Sequence, residues 1–272
     1  MTRAAIVLAL LALAACAAPA PPPLPGPVPP FAAKPYAGFN RADTVAIALR
    51  EWRLFGSKVD DAPVQERNFD PPAADKPERQ PGLWQRVGEY WWIGLAGAAP
   101  EAAWTGKHDA DGRVFPAAED GRYAWSAAFI SYVMRVAGAG ERFPYSPNHA
   151  TYVNAAASGV SPILKAEAPE RFPPRAGDLI CLGRGRARTL RFVDLPTPDL
   201  WPGHCALVTD VQPGMLATIG GNVDDAVTMI HVPISATGTV ARDDGTPLDA
   251  RYPWFVVLRV LYDAEAVSPE AD

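Results

Sequence analysis

The sequence predicts an α+β domain in which helices pack on a mostly antiparallel β-sheet, and three observations carry that reading. Apolar residues recur at helical spacing through the first half of the chain. After Pro173-Pro174 the pattern changes to short β-rich runs. Those runs are separated by Gly, Pro and Asp turns rather than by helices, as in a meander of neighbouring strands.

The chain opens with Met1-Thr2-Arg3 and the apolar run "AAIVLALLALAA" ahead of Cys16, a basic start and an apolar stretch too short to span a bilayer. Residues 1–15 are expected to be an export signal. Residues 16–38 then form a tether, with eight prolines in the fourteen residues "AAPAPPPLPGPVPP" favouring extended polyproline geometry. One domain is expected over 39–263 and a tail over 264–272.

Within the domain, "ADTVAIALREWRLFG" aligns Val45, Ala48, Leu49, Trp52 and Phe55 on one helical face, with Asp43 as the expected N-cap and Gly56 as the stop. A second helix is expected in "LWQRVGEYWWIGLAG", where Trp84, Val87, Trp91 and Leu95 share a face. The "HDADGR" stretch holds Asp109 and Asp111 but lacks the remaining ligands of a calcium loop, so it reads as a solvated turn. A third helix is expected from Trp125 to about Ala137. A fourth is expected to start at Ser146-Pro147 and run to Gly159, with the serine as cap and proline at the first helical position. Strands are expected in "GDLICLG", "HCALVTDV", "LATIGG", "AVTMIHVP" and "WFVVLRVLY". The run from about 184 to 203 is too long for a hairpin turn and reads as an inserted loop.

Composition excludes several classes of function. With 49% hydrophobic residues and a net charge of −5 the chain has no basic field for nucleic acid. No dinucleotide fingerprint or phosphate loop is present, so no cofactor is expected. His108 and His231 have no ligand spacing between them, and no metal is expected.

The residues with chemical potential are Ser126, His204 and Asn222. Ser126 begins a helix directly after Trp125 and shares a face with Phe129, Ile130 and Val133, which directs it toward the sheet. His204 begins a strand after "WPG", and Asn222 ends "TIGGN" with a side chain able to hold an imidazole tautomer. Ser126 is equally the type of residue that caps a helix, and both readings stand at this level. Cys181 and Cys205 fall on successive strands. If these pair antiparallel with the two cysteines opposite, a disulfide is possible, and two buried thiols are the alternative. Cys205 cannot pair with His204, because adjacent strand residues point to opposite faces.

Four segments carry a family resemblance. "RYAWSAAFISYVMRVAG", "PRAGDLICLG", "GHCALVTDV" and "IGGN" resemble the successive blocks of CHAP and NlpC-type cell-wall hydrolases: Trp-Cys at a helix start, Pro-x-x-Gly-Asp, Gly-His and Gly-Asn. More narrowly, the chain resembles a family of bacterial lipoproteins of unknown function in which the helix carries serine. Leu13-Ala14-Ala15-Cys16 likewise resembles the lipoprotein signal, in which the cysteine becomes the lipidated first residue.

The resemblance implies a papain-like fold and amidohydrolase or peptidase activity on cell-wall peptide, with Ser126 as nucleophile, His204 as base and Asn222 as orienter. It also implies a lipid anchor at Cys16, on the periplasmic face of the outer membrane, with peptidoglycan or an envelope protein as partner. A silent module binding such a partner and an acyltransferase are the rival readings.

Two departures bear on activity. Serine stands where the hydrolases have cysteine, and Gly220 replaces a carboxylate often found two residues before the asparagine. A hydroxyl depends wholly on its base, and exchanging an orienting aspartate for asparagine costs a serine triad ~10⁴ in turnover. Asp210, sharing strand parity with His204, and Asp224, sharing it with Asn222, are therefore the expected sources of a carboxylate. His149 is expected on a helix surface, with the cleft as its alternative position. Arg184, Arg186, Arg188 and Arg191 form either a solvated basic loop or a contact for stem-peptide carboxylates.

Overall fold

The computed structural model describes residues 38–63, 72–95, 113–114, 116 and 123–263. The expected export signal, Cys16, nearly all of the expected tether, residues 108–112 and the expected C-terminal tail lie outside the described residues. What is described is α+β: four α-helices and a six-stranded antiparallel sheet. The helices are α1 (Arg41–Leu54), α2 (Leu83–Gly94), α3 (Ser126–Val136) and α4 (His149–Ala157). The strands are β1 (Leu164–Glu167), β2 (Leu179–Gly183), β3 (Gly203–Gln212), β4 (Met215–Val223), β5 (Ala226–Pro233) and β6 (Trp254–Val260), in the spatial order β1-β6-β2-β3-β4-β5.

Two helix starts differ from expectation, for the same reason. Asn40, not Asp43, caps α1, its side chain accepting from Asp43 N at 2.8 Å. Asn148 caps α4, accepting from Ala150 N at 2.8 Å, so the helix begins at His149 rather than at Ser146-Pro147. In each case the asparagine has extended backbone and reaches an orphan amide, which places it at the N-cap. Ser146 acts one step earlier, accepting from Asn148 N at 3.0 Å. The four-residue strand β1, too short to show alternation in the sequence, pairs with β6 at the sheet edge.

The sheet separates two apolar clusters. One face packs against the helices through Phe129, Trp125, Leu207, Ile219 and Val256. The other, among the described residues, contains no helical residue and is covered by the chain between β5 and β6, through Ile234, Val240 and Tyr252. Helix α3 lies directly on β4: a Cβ at Gly221 would fall 2.5 Å from Phe129 Cβ and 2.9 Å from the Trp125 ring. Only glycine admits that approach. Cys181 and Cys205 are opposite each other in the β2–β3 register and are joined by a disulfide on the helix-facing side. The segment 184–202, between β2 and β3, holds two short 3₁₀ turns, Gly185–Ala187 and Phe192–Asp194.

A buried polar cluster links the first three helices. Glu51 of α1, fully buried, accepts from Arg86 of α2 at 2.7 Å and from Tyr90 at 2.8 Å. Arg86 also donates to Tyr132 of α3 at 2.8 Å. Burial raises the Glu51 carboxyl, but hydrogen bonds from Arg86, Arg50 and Tyr90 outweigh it and hold the acid below its ordinary range. Among the described residues no helix is long and apolar enough to cross a membrane.

Candidate functional site

Ser126 is the first residue of α3, held there by the tryptophan before it. Trp125 is fully buried, stacks near Tyr90 and Phe55 with ring centroids 5.6 and 5.9 Å apart, and donates from Nε1 to the buried Glu78 at 2.5 Å. Its carbonyl accepts from Phe129 N at 2.9 Å, closing the first helical turn. The amides of Ser126, Ala127 and Ala128 therefore lie ahead of the intrahelical ladder, at the positive end of the helix dipole. Trp125 is thus an anchor in the core, and Ser126 takes its position from that anchor.

The imidazole that Ser126 meets is His149. Ser126 Oγ is 2.7 Å from His149 Nε2, and His149 Nδ1 is hydrogen-bonded to the Tyr152 hydroxyl. His149 is 3% exposed, so the expectation of a surface helix residue is corrected: it is the buried first residue of α4. His149, Tyr152, Val153 and Ala156 are all buried on α4, a set at helical spacing that could have revealed the inward face. The tautomer decides the chemistry. With the proton on Nδ1, donated to the tyrosine oxygen, Nε2 accepts from the serine hydroxyl. The opposite tautomer makes Nε2 the donor to Ser126.

His204, the expected base, stands beside this pair rather than in it. Its ring is edge-on to His149 with centroids 5.6 Å apart. Among the described residues neither of its ring nitrogens has a hydrogen-bond partner. The reason lies at Gly220. A Cβ built there would fall 2.6 Å from His204 Nε2, so the imidazole fills the space that a longer side chain would occupy. Glycine at position 220 thus makes room for the ring and offers it no side-chain partner.

The other expected participants are placed as follows. Asn222 is half-buried near the end of β4 with φ 54° and lines the same cavity as His204, but among the described residues no hydrogen bond joins the two. Asp210 is exposed and bonds Val211 N at 2.9 Å and Gln212 at 2.8 Å. A register shift between Val208 and Asp210 breaks the parity it was expected to share with His204. Six residues of strand also separate the two, roughly 20 Å. Asp224 lies in the β4–β5 turn with φ 50° and pairs with Lys58 at 3.3 Å. The shift between Gly220 and Val223 ends its parity with Asn222. His231 is bonded to Asp61 at 2.7 Å. No group of metal-ligating side chains occurs among the described residues. Arg184 and Arg188 line the cavity beside His204, while Arg186 donates to Leu200 O at 3.0 Å and Arg191 faces Asp194 at 3.6 Å.

Both imidazoles are held neutral. Burial, and secondarily the charge of Arg184, brings His149 down to about 3. Burial does the same to His204, with Arg184 and His149 adding to it, and takes it well below its ordinary value. What remains is a neutral Tyr152–His149–Ser126 chain at a helix N-terminus, with no carboxylate behind the imidazole among the described residues.

A family model described as "Uncharacterized protein conserved in bacteria (DUF2272)" matches residues 78–260. No curated protein and no solved structure matches the chain. The family match covers more than half of the sequence, from Glu78 beneath Trp125 to the end of β6, and takes in Ser126, His149 and His204. The chain belongs to the DUF2272 family of bacterial proteins.

Proposed function

We propose that this domain is a serine-dependent amide hydrolase of papain-like plan, acting on cell-wall peptide from a lipid anchor at Cys16. The observation that carries the reading is the 2.7 Å contact between Ser126 Oγ and His149 Nε2 at the start of α3. It joins a nucleophile to a base, and the base to a third group, Tyr152. An antiparallel sheet behind a helix bearing the nucleophile fits the papain-like plan.

In this mechanism His149 carries its proton on Nδ1 and takes the hydroxyl proton on Nε2 as Ser126 Oγ bonds to the amide carbon. The free amides at the start of α3 stabilise the developing oxyanion. His149 returns the proton to the leaving nitrogen as the C–N bond breaks. Water activated by the same nitrogen then hydrolyses the ester and restores the serine. Relative to the sequence expectation, the base is His149 in place of His204.

The test is incubation of the protein with purified peptidoglycan, with Ser126→Ala as control. New amino termini released by the wild type alone support the reading, and identical products from both proteins remove it. A second reading, a module that binds cell-wall peptide without cleaving it, is favoured by the low basicity of His149 and by Gly220 beneath His204. Equal peptidoglycan pull-down by both proteins with no turnover selects that reading. The anchor is tested separately by Cys16→Ser, which should release the protein from membranes.

A further inference from the structure

A cavity of about 690 Å³ opens where β2 ends and β3 begins, floored by Leu182, Ile230 and Trp254. That volume lies within the range of about 300 to 1,000 Å³ common for small-ligand sites. Leu182 of β2 is the cross-strand partner of His204 on one side and of Trp254 on the other, so the three residues form a row across three strands. The ends of that row are roughly 10 Å apart at the backbone, two strand spacings.

Both ends of the row are polar. His204 is 2% exposed and Trp254 1%, both line the cavity, and among the described residues neither imidazole nitrogen nor the indole Nε1 has a hydrogen-bond partner. Together they offer two N–H donors and one acceptor, and burying all three unpaired is costly. The charged residues of the lining do not reach this depth. Lys58, Asp75, Arg184 and Arg188 are exposed. The half-buried Asp224, Asp225 and Arg251 are offset by Lys58 at 3.3 Å, Lys76 at 3.4 Å and Asp249 at 3.0 Å. Every buried residue of the lining, Leu182, Gly183, His204, Val223, Ile230 and Trp254, is uncharged, because burial holds the imidazole neutral. A charged group would therefore enter the buried end without a counter-charge, whereas an uncharged group with both donor and acceptor meets what the row offers.

We infer that this cavity binds a small uncharged ligand in which amides flank an aliphatic centre, the chemistry of an internal peptide unit. Leu182 receives the aliphatic centre. Trp254 Nε1 donates to the carbonyl of one amide and the imidazole of His204 pairs with the other, each ring turning about its Cβ–Cγ bond to present its nitrogen. An ester or a carboxylate lacks the N–H that the imidazole can accept, and a lone hydroxyl cannot serve both ends of the row. Ser126, His149 and Tyr152 are not part of the lining, and occupancy needs no turnover at Ser126, so the site stands apart from the hydrolase reading.

Calorimetric titration of the full chain in detergent tests the inference, with N-acetyl-alanine N′-methylamide as probe in its L and D forms. N-acetyl-alanine, the free acid, is the charged control, and N-acetylglucosamine presents a single amide on a sugar. At least one form of the diamide is expected to bind, with the acid and the sugar weaker by about tenfold or more. Trp254→Phe, which keeps an aromatic ring and removes the N–H, should weaken the diamide several-fold. In the unsubstituted chain the diamide should shift the indole N–H resonance of Trp254 and a ring-nitrogen resonance of His204 in nitrogen-15 spectra, a readout that does not depend on how a variant folds. Peptidoglycan turnover is measured separately, so its absence with retained diamide binding removes the hydrolase reading alone. No binding by either diamide, an acid or sugar that binds as tightly, unmoved Trp254 and His204 resonances, or a folded Trp254→Phe variant of unaltered affinity would each overturn it.

Discussion

Ser126 Oγ lies 2.7 Å from His149 Nε2, across 23 residues of sequence, and the far side of that imidazole is hydrogen-bonded to the Tyr152 hydroxyl one helical turn on. The serine is anchored by Trp125 in the core and the histidine by the Asn148 cap of α4, so both are fixed by local structure. If Nε2 acts as base, His149→Gln should lower kcat/KM on a peptidoglycan peptide by a factor on the order of 10² to 10⁴. Tyr152→Phe should produce a smaller loss, expressed in kcat with KM unchanged, because the phenol orients the ring without touching substrate. Steady-state kinetics of the two variants checks both.

The depressed basicity of the imidazoles links stability to pH. In the unfolded chain His149 takes up a proton near its ordinary value of 6.5, whereas in the folded chain it stays neutral down to about 3. The unfolded state therefore binds more protons across that window, and stability falls as pH drops from about 6.5 toward 3. At pH 5 the loss from His149 alone is about 2 kcal/mol, and His204 adds to it in the same direction. Denaturant midpoints at pH 7.5 and pH 5 should show the decline, and His149→Gln should flatten it. Hydrolysis itself should show no acid limb between pH 7 and pH 5, since the base is neutral throughout.

Gly220→Ala tests the seat of His204. The added methyl would lie 2.6 Å from Nε2 against a ring that is itself enclosed. Overpacking of that kind costs about 1 to 3 kcal/mol. A lowered denaturation midpoint is expected. An unchanged midpoint would place the ring elsewhere.

The Cys181–Cys205 bond closes a sequence separation of 24 residues that includes the whole segment between β2 and β3. By loop-closure entropy such a link contributes about 3 kcal/mol. The double replacement by serine should lower the melting temperature, and the non-reduced protein should weigh two hydrogens less than the reduced one. Equal masses would show that the thiols are free.

Much of the fold was legible because its signals are local. The apolar spacing of Trp84, Val87, Trp91 and Leu95 corresponds to α2, and the β-rich runs after Pro174 to β2 through β6. Two helices start a few residues from the expected caps, since Asp43 and Ser146 are as good a cap by type as Asn40 and Asn148, and only backbone conformation separates them. Ser126 stands out in the sequence by its place at a helix start, where α3 begins. The hydrogen-bond partner of that serine is not marked in the sequence, because pairing depends on how α4 docks, and register shifts that no residue type announces break the strand parity of Asp210 and Asp224. The Gly203-His204 pair is visible in the sequence, while the structural role of Gly220 beneath that ring appears only once β3 and β4 are paired.

The most direct measurement of the central claim is covalent labelling of Ser126 by an alkyl fluorophosphonate, located by peptide mass spectrometry. If His149 activates the hydroxyl, the adduct forms on Ser126 in the wild type and in a folded His204→Asn variant, and is lost or greatly slowed in a folded His149→Gln variant. An unlabelled Ser126 in the wild type, or labelling at the same rate without His149, would contradict the account.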